Sequence, residues 1–330
     1  MKSAKLESMP DNIIILDCHN YAGVMTKVAK ALSRRFNVLH IMTGTKRASR
    51  LALNGFSRDP KNTLILLSEP GTLVYEPNKK YDSWLYPKIG GIKRPPEIPF
   101  GIWWSGSVYR VSNYVALKNV PSHHAKWFVN RRNYFNSLTP FKLVGTDCLI
   151  PIDRSAYYVG QPMVFPKSPP LKDNSMEKII HVASADSVTD FFKGTDKIKK
   201  AFKSIKKFMR ANIVKGVTHD EVMNKMKNST MYVLTITDWP SGIGYTGIEA
   251  LTNGCLLFSK NTGYIDTPIV NVEDSEHLVK SAWYYHDNKK EGRKKAKEQF
   301  EWAKKNFSNK AFCKNFEMAL KDCIKKGWKV

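Results

Sequence analysis

The chain has 330 residues, 42% of them hydrophobic, and carries 53 Lys+Arg against 29 Asp+Glu, a formal net charge of +24. That is ample for a buried core and suggests two domains rather than one. The charge is an argument about partners, which should be polyanions or anionic surfaces. It excludes a single detachable basic tail, because residues 1–150 hold 22 basic and 9 acidic side chains and the remainder 31 and 20.

The five cysteines (Cys18, Cys148, Cys255, Cys313, Cys323) are widely spaced and form no C-x-x-C. They read as reduced thiols of an intracellular protein without a zinc site. The opening "MKSAKLESMPDN" lacks the apolar core of a signal peptide, and no apolar run approaches the ~20 residues of a membrane span. A soluble, cytoplasmic, monomeric protein is expected (host cytoplasm if a phage encodes it), still able to touch a membrane surface.

In chain order, "NIIILDC" (12–18) reads as a buried strand, followed by "GVMTKVAKALSRRF" with Val24, Val28, Ala31 and Leu32 on one helical face. Strands follow at "NVLHIM" (37–42), "NTLILL" (62–67), "FGIWWSG" (100–106) and "FKLVG" (141–145). The Pro-rich, polar segment 157–178 breaks the rhythm and reads as a domain boundary. The rhythm restarts with strand "KIIHVAS" (178–184), helix 194–210, strand "NIVKG", helix "THDEVMNKMKN", strand "STMYVLTI", short helix "GIEALTNG", then strands "CLLFS" and "PIVNV". From Ser275 the chain is mostly helical and very basic. Alternation of this kind implies parallel strands with right-handed crossovers. The expected fold class is α/β: two Rossmann-like, doubly wound domains, 1–165 and 166–330, with the active site in the cleft between them. The last helix is a candidate to pack back on the first domain.

One window stands out, "WPSGIGYTGIEALTNGCLLF" (239–258). Ligands of such domains sit at the carboxyl ends of strands, where "MYVLTI" ends. Gly242, Gly244 and Gly247 let backbone N–H groups approach an anion, and a helix starting near Gly247 adds its positive end. Glu249, placed in the first helical turn, can hold two vicinal hydroxyls such as those of a ribose; the plainer alternative is an acidic residue that stabilises the helix dipole.

The window resembles the nucleotide-sugar signature of retaining GT-B glycosyltransferases, most of all the glycogen-synthase-like (family 4-like) group. In that group the Gly-rich turn meets the donor diphosphate and the Glu binds the nucleotide ribose. "HVASADSVTDFFKGTDKIKKAF" (181–202) is similar to the family's "KGTD" helix opening, whose Lys, here Lys193, contacts the diphosphate. "GVTHDEVMNKMKNSTMYVL" (216–234) is like the next helix and strand. In the first half, "YAGVMTKVAKAL" (21–32), with Gly23, resembles the loop after the first strand. "WWSGSVYR" (103–110) resembles an "HxHGSxxR" segment, and "GTDCL" (145–149) a strand end facing the cleft. Two positions depart from the pattern: Ser241 stands where the longer signature has a Glu, and Ser105 where the family has its cleft His. His19 or Asp147 are candidates to take over part of that His's role, and nothing in the residues chooses between them.

The resemblance implies retaining transfer from a nucleoside-diphosphate sugar, by default a UDP-sugar, whose leaving diphosphate must be stabilised. No metal or other cofactor is obligatory if Lys193, Arg110 and the backbone N–H groups around Gly244, Tyr245, Thr246 and Gly247 supply the positive field.

Composition bears on the acceptor. Basic patches lie at "TKRASR" (45–50, with Arg47 and Arg50), "KIGGIKRPP" (88–96, with Lys93 and Arg94), "KWFVNRR" (126–132, with Lys126, Trp127, Arg131 and Arg132) and "KKEGRKKAK" (289–297). Trp127, Phe128 and Tyr134 are placed to stack on an extruded base. A basic enzyme with a sugar donor suggests double-stranded DNA as acceptor, at the hydroxymethyl group of a modified base such as hydroxymethylcytosine, the reaction of bacteriophage DNA glycosyltransferases. The alternatives are a lipid-linked or cell-envelope glycan at an anionic membrane surface, with 125–135 as the docking face, and a non-catalytic DNA-binding protein on the same fold. A dinucleotide-dependent oxidoreductase fits poorly, since "DCHNYAGV" lacks a full G-x-G-x-x-G.

Overall fold

The structure, a computed structural model, describes residues 5–17, 23–42, 59–68, 88–89, 92–93, 99–104, 136–146, 154–172, 177–184, 190, 193–237, 242–260 and 266–328. The chain divides into two units, Met1–Pro162 together with Lys310–Val330, and Met163–Asn309.

The first unit is built on β1 (Asn12–Asp17), α1 (Val24–Leu32), β2 (Asn37–Met42), β3 (Thr63–Ser68), β6 (Phe100–Trp104), β7 (Lys142–Val144) and β8 (Tyr157–Tyr158). These six strands form one sheet in the order β2-β1-β3-β6-β7-β8, every pair parallel. Parallel sheets are covered on both faces, so their strands read as unbroken apolar runs. Ile13–Leu16, Leu64–Leu67 and Ile102–Trp104 are accordingly buried. A separate two-residue antiparallel pair, β4 (Lys88–Ile89) with β5 (Ile92–Lys93), and the short β8 have no counterpart in the sequence expectation. β8 falls inside the segment read as a boundary, where Tyr157 and Tyr158 pair with Leu143 and Val144. Two residues are too few to show a strand periodicity.

The returning residues 310–330 close this unit. Phe312, Phe316 and Leu320 recur at helical spacing on the last helix, α7 (Asn309–Lys325), and are fully buried. Phe312 packs edge-on against Trp103 at 5.9 Å between ring centroids and Phe316 against Phe141 at 5.8 Å. The Cys313 thiol donates to the Ala31 carbonyl at the end of α1, and the Tyr157 hydroxyl to Asp322 (2.9 Å).

The second unit holds β9 (Lys178–Val182), α2 (Thr195–Ile205), β10 (Arg210–Val214), α3 (His219–Lys227), β11 (Met231–Thr235), α4 (Tyr245–Thr252), β12 (Leu256–Ser259), β13 (Val270–Asn271), α5 (Ser275–Asp287) and α6 (Lys289–Phe307). Its parallel sheet runs β10-β9-β11-β12-β13. The apolar face of α2 (Ile198, Ala201, Phe202, Ile205) packs with Ile179, Val233 and Leu278 in the core.

Two helix boundaries differ from the sequence expectation. The pattern suggested a helix through residue 210, but α2 stops at Ile205. Phe208 and Met209 both donate to the Ile205 carbonyl in a tight terminal turn, and Arg210 and Ala211 are drawn into pairing with Lys178 and Ile179. Tertiary pairing overrides a helical pattern that would otherwise continue. The second difference, at α4, bears on the site.

Candidate functional site

In the second sheet the strand order reverses between β9 and β11, and a crevice opens outside the carboxyl ends of strands at such a point. The residues there are tied together closely. The Lys193 carbonyl accepts from Ile236 N–H (3.1 Å) and from the Thr235 hydroxyl (3.0 Å), which pins this residue to the end of β11. Its ammonium reaches the last residue of β9 and donates to the Val182 carbonyl (2.9 Å). The following Gly194 has φ +66°, and a Cβ there would lie 2.0 Å from the Ile236 carbonyl oxygen. Only glycine permits both that backbone region and that approach.

A buried polar cluster supports this corner. His181, on β9, donates Nδ1–H to the Val233 carbonyl (2.9 Å), and its Nε2 lies 3.0 Å from the Thr195 hydroxyl at the start of α2. Burial pushes the imidazole pKa down to about 4, so the ring is neutral. Thr195 has one hydroxyl proton and two acceptors, His181 Nε2 and Asp190 Oδ1 (3.1 Å). Burial would raise the Asp190 carboxyl; the Lys215 ammonium (3.1 Å) and Ser184 N–H (2.6 Å) outweigh it and hold the group below the usual carboxylate range.

Helices α2, α3 and α4 follow β9, β10 and β11, so all three begin at the carboxyl edge of the sheet. The first turn of α2 carries Asp196, and that of α3 carries Asp220 and Glu221 inside a capping box with Thr218. The first turn of α4 carries no acidic residue. Its positive end is therefore the one not offset by a carboxylate of its own. Gly244 is its N-cap and faces open space, whereas Gly247 packs on Ile243 and Leu234.

The sequence placed the start of α4 near Gly247 and Glu249 in its first turn. The helix instead begins at Tyr245, so Glu249 lies in the second turn. Glu249 is not a dipole-stabilising surface acid: it is 3% exposed, and its Oε1 accepts from His219 Nε2 at 2.9 Å. Its backbone carbonyl is fixed by the Thr252 hydroxyl and the Asn253 amide, both at 2.8 Å. Burial raises the phenol pKa values of Tyr232 and Tyr245, and the Glu249 charge adds to both shifts, so each hydroxyl keeps its proton.

Of the residues singled out from the sequence, Lys193, Gly244, Tyr245, Thr246, Gly247 and Glu249 are brought to this one edge of the second unit. Gly23 is the left-handed N-cap of α1 (φ +66°) after β1, the corresponding turn of the first unit. Lys93 belongs to β5. His19, Arg47, Arg50, Arg94, Ser105, Arg110, Lys126, Trp127, Phe128, Arg131, Arg132, Tyr134, Asp147 and Ser241 lie outside the described residues. The sequence reading missed His219, His181 and Asp190, and also the pair His40–Asp17 (3.1 Å), which joins β2 to the last residue of β1. For His219 a signal existed: it directly follows the N-cap of a capping box, which places it at the open end of a helix. Among the described residues no group of three or more His, Cys, Asp or Glu could hold a metal ion, and no helix is long and apolar enough to cross a membrane.

No protein-family model and no curated protein matches the sequence. Solved structures do match the fold. HepE from Anabaena, in complex with UDP and glucose, superposes with a TM-score of 0.60 at 8% identity, covering 94% of this chain and 100% of that one. Sucrose-phosphate synthase from Thermosynechococcus elongatus gives 0.59 at 10% identity, covering 96% and 100%. TarM from S. aureus gives 0.52 at 10% identity over 82% of this chain and 58% of its own. At such identities the likeness is one of fold. The fold class is α/β of the GT-B type, two doubly wound parallel-sheet units.

Proposed function

We propose that this protein is a glycosyltransferase that takes a UDP-sugar as donor and transfers the sugar, with retention, to the hydroxymethyl group of a modified base in duplex DNA. The observation that carries the donor half is the convergence of Lys193, the acid-free start of α4 and the buried Glu249 at the carboxyl edge of the second sheet. HepE, which shares the fold, has been solved with UDP and with UDP-glucose.

In this reading the diphosphate lies against the N–H groups at the start of α4, within reach of the Lys193 ammonium. As the bond from the anomeric carbon to the diphosphate oxygen breaks, charge builds on that oxygen, and a fixed ammonium and helix end stabilise it more than they stabilise bound donor. Glu249 accepts from the ribose hydroxyls, and His219 fixes the direction of its carboxylate. The bond to the acceptor oxygen forms on the same face, the departing diphosphate oxygen keeps the electron pair of the broken bond, and the acceptor hydroxyl passes its proton to that oxygen.

The acceptor half rests on charge. Both halves of the chain are basic, and a total of +24 favours a polyanion whose phosphates supply sequence-independent affinity. The donor half is tested by calorimetric titration of UDP-glucose into the full chain and into Lys193→Ala and Glu249→Ala. Saturable binding weakened about tenfold or more in both variants is expected. Equal binding by all three proteins overturns the placement of the donor.

A further inference from the structure

Residues 197–210, from the first turn of α2 to the start of β10, carry seven basic side chains and no acidic one. Lys200 and Lys203 lie one turn apart on the outer face of α2, about 5 Å along its axis, and Lys206 and Lys207 follow at its end. All four are exposed, and their ammonium groups make no hydrogen bond or ion pair among the described residues. Asp196, in the first turn, is taken up by Lys199 (3.0 Å). The helix dipole accounts for cations in the last turn of α2 and not for the rest of the run.

Helix α5 lies beside α2 and runs in the same direction. The Ser275 hydroxyl at its start donates to the Lys197 carbonyl (2.8 Å), and Trp283 near its end packs edge-on against Phe208, just past the end of α2, with ring centroids 4.8 Å apart and planes at 84°. Tyr284 is braced in the same way by Tyr285, at 5.0 Å and 80°. Phe208 and Tyr285 are partly buried against the core, whereas Trp283 is 52% exposed and Tyr284 50%. An edge-on contact covers at most one face of a ring, so the pair offers braced ring faces to solvent beside Lys206 and Lys207. Asp287 lies a turn beyond Trp283 and is outnumbered by these lysines. Because α2 starts at the carboxyl edge of the sheet, this end of the two helices lies away from the site described above.

A row of lysines at one per helical turn matches a phosphodiester backbone, and open ring faces beside it match unpaired bases. A closed duplex would use the lysines and leave the rings without a counterpart. An anionic bilayer would also use the lysines, but it takes side chains that reach into it, and these rings are pinned sideways on their neighbours.

We propose that the face formed by α2 and the end of α5 binds single-stranded nucleic acid, with the backbone along Lys200, Lys203, Lys206 and Lys207 and bases stacked on Trp283 and Tyr284. It is a second site, and the inference does not depend on the transferase reading.

The probe is a fluorescein-labelled oligothymidylate of about 20 nucleotides, titrated by anisotropy with the full chain over a range of NaCl concentrations. A duplex of the same length and phosphatidylglycerol vesicles are run in parallel. Saturable binding of the single strand in the micromolar range at about 0.1 M salt is expected. Trp283→Ala should weaken it about tenfold without changing the salt slope, and Trp283→Phe, which keeps a ring face and the packing on Phe208, should recover most of that loss. The double variant Lys206→Ala, Lys207→Ala should lower the slope by about 1.4, roughly 0.7 for each phosphate contact removed. Trp283→Ala should leave duplex affinity unchanged, since other basic surfaces of the chain hold a duplex. All variants must melt cooperatively near the parent temperature; if Trp283→Ala does not fold, Tyr284→Ala takes its place. No saturable binding of the single strand, affinity insensitive to Trp283→Ala, a slope unchanged by the lysine pair, an equal loss for the duplex, or a loss for the vesicles alone would overturn the proposal.

Discussion

His219 Nε2 donates to Glu249 Oε1 across 2.9 Å and so links the first turn of α3 to the second turn of α4. The carboxylate can only accept, so the imidazole is the donor in this bond, through Nε2. It also leaves the buried carboxylate in one direction. If Glu249 holds the donor ribose as proposed, His219→Ala should raise the KM for UDP-sugar about tenfold with a much smaller change in kcat, because His219 would then position a binding group rather than touch the breaking bond. His219→Gln, which can donate at a similar reach, should recover most of the loss. Steady-state kinetics of the two variants check this, and an equal fall in kcat for both would contradict it.

Gly194 is the position in this corner least able to accept a side chain. A Cβ would sit 2.0 Å from a backbone oxygen, and φ is +66°. Gly194→Ala should destabilise the second unit by about 2–4 kcal/mol and lower the melting temperature by several degrees. Donor affinity should fall with it, since the substitution displaces the Lys193 backbone. Gly244→Ala, which meets open space at an ordinary φ, should leave stability nearly unchanged. Thermal melts of the pair separate the two roles.

The buried His181 predicts a pH dependence. Its pKa of about 4 in the folded chain lies below the ordinary value of 6.5, so the unfolded state binds the proton more readily between those values. Stability is fully present above pH 6.5 and is lost as pH falls toward 4, by up to about 3 kcal/mol. Asp190, held low, acts in the same direction only below the ordinary carboxylate range. Urea titrations at pH 7.5 and pH 5 should show the loss, and His181→Gln should flatten it.

Gln299 of α6 is fully buried and treats β12 as a partner strand would. Its Oε1 accepts from Leu257 N–H (2.7 Å), and its amide donates to the carbonyls of Leu257 (3.1 Å) and Pro268 (3.2 Å). Gln299→Leu keeps the volume and strands those backbone groups. A loss of about 2–4 kcal/mol is expected, read as a shift of the urea midpoint without a change in slope.

Much of the fold was legible in the sequence because parallel strands are apolar throughout and amphipathic helices separate them. "NIIILD" and "TLILLS" need no context to be read as buried strands. Two-residue strands such as Tyr157–Tyr158 carry no period and were invisible. The residues proposed for the donor, Lys193 and Glu249, were singled out by the motif around them. Their supports were not: His219 is 30 positions from Glu249 and His181 is 52 from Val233, and those distances close only through the sheet register. The start of α4 was placed two residues late because Gly247 reads as the last glycine of the Gly-rich turn, whereas it lies inside the helix and packs on Ile243 and Leu234.

The most direct test of the central claim is transfer of label from radiolabelled UDP-glucose to duplex DNA. Three duplexes are compared: ordinary, 5-hydroxymethylcytosine-containing and 5-hydroxymethyluracil-containing, with anionic vesicles bearing lipid acceptors as a fourth arm. The account predicts label retained on a hydroxymethylated duplex alone, and its loss in Lys193→Ala. Label on the lipid arm, or on none, would contradict it.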